Sequence, residues 1–333
     1  MSLTPGIPLT TFRRIPPRSA GEVHLRRANL VRDFARFLAV GWENRLPAGV
    51  DVLSDLPFRG KLGASLRQRL EKMRDELPAR FKPVVVDVLR SLPEIEALPW
   101  VLTHGDVVSD NIMVEPPPPS SSSESYRNRS TGNWPGSLRG LIDWAESEYL
   151  PFGICLYGVE ELLGQTIRTW NSRTPSKEEE GKSRFAYYPS AGDLRRLFWH
   201  EMEVAVPPLA MDKELRGFVE QARLLGILLW HGFAFDDGAI DRVVEEGRDE
   251  AEVQRLDMFL FGTDERGMTE RVVRGEEGQG GEMGVGEGGK GKGKGKGKGK
   301  GHDVSVNEKG KGKEREVSKG QKFLRRMSSM ISL

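Results

Sequence analysis

Between residues 19 and 42 the apolar positions Leu30, Phe34, Phe37 and Leu38 recur at three- and four-residue intervals, which predicts a helix with one buried face running to about Trp42. Ser19 followed by Glu22 fits a capping box at its start. Leu66, Leu70, Met73 and Leu77 mark a second helix stopped by Pro78; Phe81, Val84, Val85, Val88, Leu89 and Leu92 mark a third, closed by Pro93. At Trp100 the period changes. VLTHGDVVSDNIMVE reads as a strand, a polar turn and a second short strand, and LRGLIDW at 138–144 as a strand ending in an acid. Beyond Pro151 helical spacing returns: YGVEELLGQTIRTW near 157–170, a helix around 191–203, the stripe Leu215, Phe218, Val219, Ala222, Leu225 and Leu229, and a last helix over roughly 239–260, ending at Gly262.

Three stretches fall outside this pattern. Residues 1–18 contain Pro5, Pro8, Pro16 and Pro17 and read as an irregular segment, so order is expected to start near Ser19. Residues 116–137, PPPPSSSSESYRNRSTGNWPGS, read as a Pro/Ser insertion at a hairpin tip, where a longer loop is cheap to close. Residues 263–333 turn to Gly, Glu and Lys, including GKGKGKGKGKGK, and read as a disordered tail. The ordered region expected is therefore 19–262, an α+β and mostly helical fold with a short β-hairpin.

The formal charge of +1 conceals an asymmetry. Residues 290–333 carry 14 Lys and Arg against 4 Asp and Glu, a net of +10, which leaves −9 on residues 1–289. Such a tail suits an acidic partner, nucleic acid or a membrane surface; the plainer reading is a solvated tail. Within it, KFLRRMSSMISL at 322–333 joins basic residues to Phe323, Leu324 and Met327, and Arg325-Arg326-Met327-Ser328 fits the target of a basic-directed kinase. The single cysteine, Cys155, excludes an intramolecular disulfide framework and reads as a small buried hydrophobe. No signal-peptide pattern is seen, and the longest apolar run, LLGILLW at 224–230, is far short of a bilayer span. A soluble, intracellular and cytoplasmic protein is expected.

The chemistry concentrates at THGDVVSDNIMV, residues 103–114. Asp106 at a turn is placed to accept a hydrogen bond from a substrate hydroxyl; Asn111, five residues on, and Asp143, at the end of a strand, offer hard oxygen ligands suited to Mg²⁺. Together they are equipment for phosphoryl transfer, and the separation of Asp106 from Asn111 by four residues is that of a kinase catalytic loop. His24, His200, His231 and His302 show no ligand spacing, and Glu146 and Glu148 read as exposed loop carboxylates.

HGD-x-x-x-x-N-I-M-V followed by an apolar strand ending in I-D-W resembles the aminoglycoside phosphotransferase and choline kinase group, whose fold is protein-kinase-like. The run WAESEYLPFGICLYGVEELLG resembles fungal members of that family. The resemblance spans about residues 25–262. It implies a kinase-like C-terminal lobe, ATP and Mg²⁺ as cofactors, and a small-molecule hydroxyl as acceptor. By it Asp106 is the catalytic aspartate, His104 braces the catalytic loop, and Asn111 and Asp143 bind the magnesium ion of the nucleotide.

The family also uses an N-terminal lobe with a Gly-rich loop and a strand lysine. Such a lobe needs on the order of 50 residues or more, whereas fewer than 20 precede the first predicted helix and the first lysine is Lys61. The run GVGEGGKG at 284–291 matches a Walker A pattern only as far as Lys290, since Gly291 stands where Ser or Thr is needed. The expectation is a phosphotransferase-family protein with weak or no activity as written. The alternatives are a non-catalytic, pseudokinase-like binding module and an incomplete gene model.

Overall fold

The computed structural model describes residues 5–47, 62–118, 134–168, 183–236 and 239–262. Lys61, most of the Pro/Ser insertion, the Walker-like run and the basic tail lie outside the described residues.

The architecture is α+β and mostly helical. Helix α2, Ala20–Glu43, begins where the capping pattern places it: Ser19 Oγ accepts from the Glu22 amide at 3.2 Å. The Glu22 carboxylate reaches one residue further back than a capping box requires, to the Arg18 amide at 2.7 Å, and also holds Arg26. α3, Leu66–Glu76, ends before Pro78, and α4, Lys82–Arg90, follows a single 3-10 turn. Pro93 does not close α4. It lies in the first turn of a separate short helix, α5, Leu92–Glu96, where a missing N–H costs nothing.

Four antiparallel strands carry the site. β2, Trp100–Thr103, pairs with β5, Glu148–Pro151; β3, Ile112–Val114, pairs with β4, Leu138–Leu141, as the expected hairpin. The hairpin gains a third strand from the first residues of the chain: β1, Ile7–Pro8, lies on the edge of β3, and the one-turn helix α1, Leu9–Phe12, buries Leu9 and Phe12. Order therefore starts before Ser19. Pro8 is tolerated because an edge strand leaves one row of N–H groups unused.

Two more departures occur where helices were expected. α6, Gly158–Leu163, stops at Gly164, and Gly164–Arg168 is strand β6, paired with β7, Ser183–Tyr187. The β-branched Thr166 and Ile167 suit the pairing. Likewise 239–243 is not the start of the last helix: β8, Phe233–Asp236, and β9, Ala239–Val243, form a hairpin, closed by Arg242 bridging Asp236 and Asp249. α10 spans only Glu250–Phe261 and ends at Gly262.

The core is set by α9, Lys213–His231, whose Val219, Ala222, Leu225, Ile227 and Leu228 are wholly buried. α4, α5, α10 and the 3-10 turn Ile154–Tyr157 lie against it, as does α8, Pro207–Met211, while α2 lies on α7, Ala191–Ala205. Buried Glu160 of α6 ties three elements together through Arg195 at 2.7 Å, Arg223 at 2.9 Å and the Tyr187 hydroxyl at 2.6 Å. Cys155 is buried, and burial pushes its thiol up to about 12, so it is unreactive at neutral pH. Among the described residues no helix is long and apolar enough to cross a membrane.

Two glycines of α9 test this arrangement. A Cβ at Gly226 would stand 2.0 Å from the Ile154 carbonyl oxygen, whereas one at Gly217 would meet nothing within 4 Å. Gly217→Ala should therefore raise stability by about 1 kcal/mol through helix propensity, and Gly226→Ala should lower it by about 1–3 kcal/mol through overcrowding. Urea unfolding of the two variants checks this; equal signs would contradict the close approach of α9 to residue 154.

Candidate active site

The site follows from how the strands connect. The chain leaves β2 at Thr103 and enters β3 at Ile112, then leaves β4 at Leu141 and returns through β5 at Glu148. Because Thr103 pairs with Glu148 and Ile112 with Leu141, the two connecting loops, 104–111 and 142–147, run side by side between the same two strand pairs. Asp106 and Asn111 lie on one loop, Asp143 on the other.

His104 joins them. Its Nδ1 accepts from the Asp106 amide at 3.2 Å, so the ring proton belongs on Nε2, which donates to the Ile142 carbonyl at 2.8 Å. Burial lowers the pKa of the imidazole, with bonds and nearby carboxylates opposing, so the neutral tautomer that makes both bonds is favoured. One neutral ring thus fixes the backbone at Asp106 and the backbone just before Asp143. Trp144 covers the ring at 4.7 Å between centroids, donates Nε1–H to the Leu141 carbonyl at 2.9 Å, and meets Phe37 of α2 at 6.4 Å.

Gly105 has φ +80°, and a Cβ there would stand 2.1 Å from the Glu146 carbonyl oxygen, so both the turn and the close approach require glycine. The glycine of His-Gly-Asp is the condition for the two loops to lie this close. Beyond it, the Val107 amide donates to the Tyr157 hydroxyl at 2.7 Å, and the Asn111 amide closes the turn on the Val108 carbonyl at 3.0 Å.

Asn111, almost fully buried, donates its Nδ2 hydrogens to Asp106 Oδ2 at 2.8 Å and to the Asp106 carbonyl at 3.0 Å. Its backbone carbonyl accepts from the Ile142 amide at 3.0 Å. The amide is thereby oriented: nitrogen to the aspartate, Oδ1 at the opposite corner. Asp143 is exposed, and at φ 62° it is the only non-glycine residue with positive φ among those described. This left-handed backbone is uncommon outside glycine and asparagine or aspartate, and it sets the direction of the side chain.

Half-buried Asp106 has its pKa raised, chiefly by burial; the Asn111 bond and His104 oppose, while Asp143 and Glu146 add to it. Asn111 Oδ1 and the Asp143 carboxylate are hard oxygens of the kind Mg²⁺ prefers. Among the described residues no group of three or more His, Cys, Asp and Glu is arranged to hold a metal by itself. A cation here would complete its shell with water and phosphate oxygens, as Mg²⁺ usually does.

Glu148 is not a loop carboxylate. It begins β5, and its Oε2 accepts from the Gly63 amide at 3.1 Å; burial raises its pKa. Glu146 is exposed. The supporting residues Tyr157, Ser109, Glu161 and Arg13 carried no signal in the periodicity. Tyr157 and Glu161 fall inside the family-like run that follows Trp144, which is the one place where the sequence pointed to them.

Residues 1–121, about a third of the chain, match the phosphotransferase enzyme family, a stretch that includes His104, Asp106 and Asn111 and ends before Asp143. No curated protein matches. Among solved structures, aminoglycoside phosphotransferase APH(3'')-Id from Streptomyces rimosus aligns over 67% of this chain and 67% of its own, at 15% sequence identity and a TM-score of 0.33.

Proposed function

We propose that the chain is a kinase-like phosphotransferase whose chemistry is Mg²⁺-dependent transfer of the γ-phosphate of ATP to the hydroxyl of a small molecule. The observation that carries this reading is the pair of hydrogen bonds from Asn111 Nδ2 to Asp106, which leaves one residue's carboxylate and the other's amide oxygen for separate partners. The family match over residues 1–121 agrees with it.

In this reading the Asp106 carboxylate accepts the proton of the acceptor hydroxyl as its oxygen bonds to the γ-phosphorus and the β–γ bridging bond breaks, releasing ADP. A pKa raised by burial makes Asp106 a stronger base than a free aspartate. Asn111 and Asp143 would hold Mg²⁺, which supplies charge neutralisation for the phosphates. His104 orients the loop and takes no proton, since both ring nitrogens are engaged.

A second reading, a binding module that retains this half-site without turnover, is favoured by the lysines. Lys72 Nζ donates to the Asp241 carbonyl, Lys82 Nζ to that of Asp75, and Lys213 is exposed at the first turn of α9; none of these, the described lysines, is bonded to the site. Absence of one cation on the transferred phosphate costs about 10²–10³ in rate, by analogy with loss of one oxyanion donor.

Calorimetric titration of Mg-ATP should show magnesium-dependent binding that Asp143→Ala abolishes; no heat at millimolar nucleotide would remove the nucleotide-site reading. Asp106→Asn should keep Mg-ATP binding within about threefold while removing whatever phosphoryl transfer the chain performs on hydroxyl compounds, because the base acts only on the reacting proton. Undiminished transfer by that variant would exclude Asp106 as the base. In ¹³C carboxyl titrations Asp106 should protonate above the ordinary 3.8, and higher still in Asn111→Ala, since the lost bond favours the charged form. A value below 3.8 in either protein would contradict the burial of this carboxyl.

A further inference from the structure

The loop between Asp106 and Asn111 is held from outside by the first residues of the chain. Thr10 Oγ1 donates to Asp110 Oδ1 at 2.5 Å, and Arg13 Nη1 donates to Ser109 Oγ at 2.7 Å. Arg13 Nη2 donates to the Glu161 carbonyl and, at 2.8 Å, to the Gly164 carbonyl. Those two carbonyls lie at the C-terminal end of α6, where the last turn lacks partners of its own and a cation is favoured. Ser109 is 8% exposed and passes the connection on, its hydroxyl donating to Glu161 Oε2 at 3.2 Å while Arg255 of α10 binds the other carboxylate oxygen. Alongside, β1 is hydrogen-bonded to β3 at Val114 and Met113, directly after Asn111 and Ile112.

We infer that residues 7–13 form a strap that sets the position of the Asp106–Asn111 loop, with Arg13 as its positioning residue acting through Ser109. The inference rests on the reading of Asp106 and Asn111 as site residues. The guanidinium is a planar fork, so its two terminal nitrogens meet Ser109 and the end of α6 at one fixed separation. A lysine at 13 has a single point of attachment and cannot hold both. The third nitrogen, Nε, is buried without a hydrogen-bond partner. An unpaired buried donor is costly, and it is offset here by the bonds that the other two nitrogens make. Seen from the loop, Val107 is fixed by Tyr157, Ser109 by Arg13 and Glu161, Asp110 by Thr10, and Asn111 by Val108. The middle two of these depend on the strap and its partners in α6. Without them the loop is held, among the described residues, only at Val107, through Tyr157, and at Asn111, through Val108 and Ile142, while the strands on either side stay paired.

Amide hydrogen exchange on the full chain tests this. Arg13→Ala should speed exchange at the Asn111 and Ile142 amides by about tenfold or more, leave the β2–β5 pair within about twofold, and be partly rescued by Arg13→Lys. Thr10→Val, which removes one exposed bond only, should show a smaller acceleration confined to the same loop. Partial rescue by Arg13→Lys, which restores one of the two attachments, is an effect that loss of general packing at residue 13 would not produce. Uniform acceleration across the chain, or none in the loop for both variants, overturns the strap. Mg-ATP titration of the same samples separates the two readings. Loop exchange that changes in a chain without Mg-ATP binding keeps the strap and removes the nucleotide site. Asp143-dependent binding with loop exchange unaltered in Arg13→Ala keeps the nucleotide site and removes the strap.

Discussion

The site depends on one buried imidazole. His104 uses its two nitrogens in opposite senses, accepting from the backbone of Asp106 and donating to the backbone of Ile142. Only the neutral ring does both, and burial keeps it neutral. Together with the direct bond from the Ile142 amide to the Asn111 carbonyl, the ring locks the two loops at one separation, from which the reach of Asn111 to Asp106 and the exit direction of Asp143 are measured. Gly105 permits it sterically, and Trp144 shields it from water that would compete for both bonds.

Around the lock the fold supplies rigidity by two different means. Apolar burial along α9 and α2 gives the bulk of the driving force, since it removes the largest continuous surfaces from water. Buried charge supplies alignment instead: Glu160 gathers Arg195, Arg223 and Tyr187, and Glu161 gathers Arg255 and Ser109. Such groups add little net stability after desolvation, but each admits only one arrangement of its partners. Consecutive glutamates on one short helix thus face two directions, one into the helical core and one toward the loop that carries Asp106 and Asn111.

Arg13 draws the first residues of the chain into that second group. The consequence is that the loop is bounded on one side by β1 and α1, on another by the end of α6, and on a third by the 142–147 loop. The candidate groups lie on irregular backbone that meets neighbouring elements at Val107, through Tyr157, and at Asn111, through Ile142, while Ser109 and Asp110 are held by their side chains. Loops that carry chemistry on a rigid scaffold are the usual compromise between reach and precision.

The sequence by itself determined the long helices and singled out the residues of the candidate site. The stripes of α2, α3 and α9 are written in residues whose burial needs no partner to be named in advance, and His104, Asp106, Asn111 and Asp143 were legible because their spacing and strand-end setting form a recognisable pattern. Their hydrogen bonds bring the first three together and place Asp143 one residue from the lock. Only the tertiary structure decided β1, β6 and β9. Each is a short segment whose local signal is ambiguous, prolines around β1 and helical spacing across β6 and β9, and each becomes a strand because a partner, the remote β3 for β1 and the next strand or the preceding one, β7 and β8, for β6 and β9, offers its backbone groups. Arg13 was invisible because its partners, Ser109 and the end of α6, lie far along the chain. A pairing across roughly 100 or more residues leaves no periodicity in the chain, since its free energy arises only when the folded core brings both ends to one place.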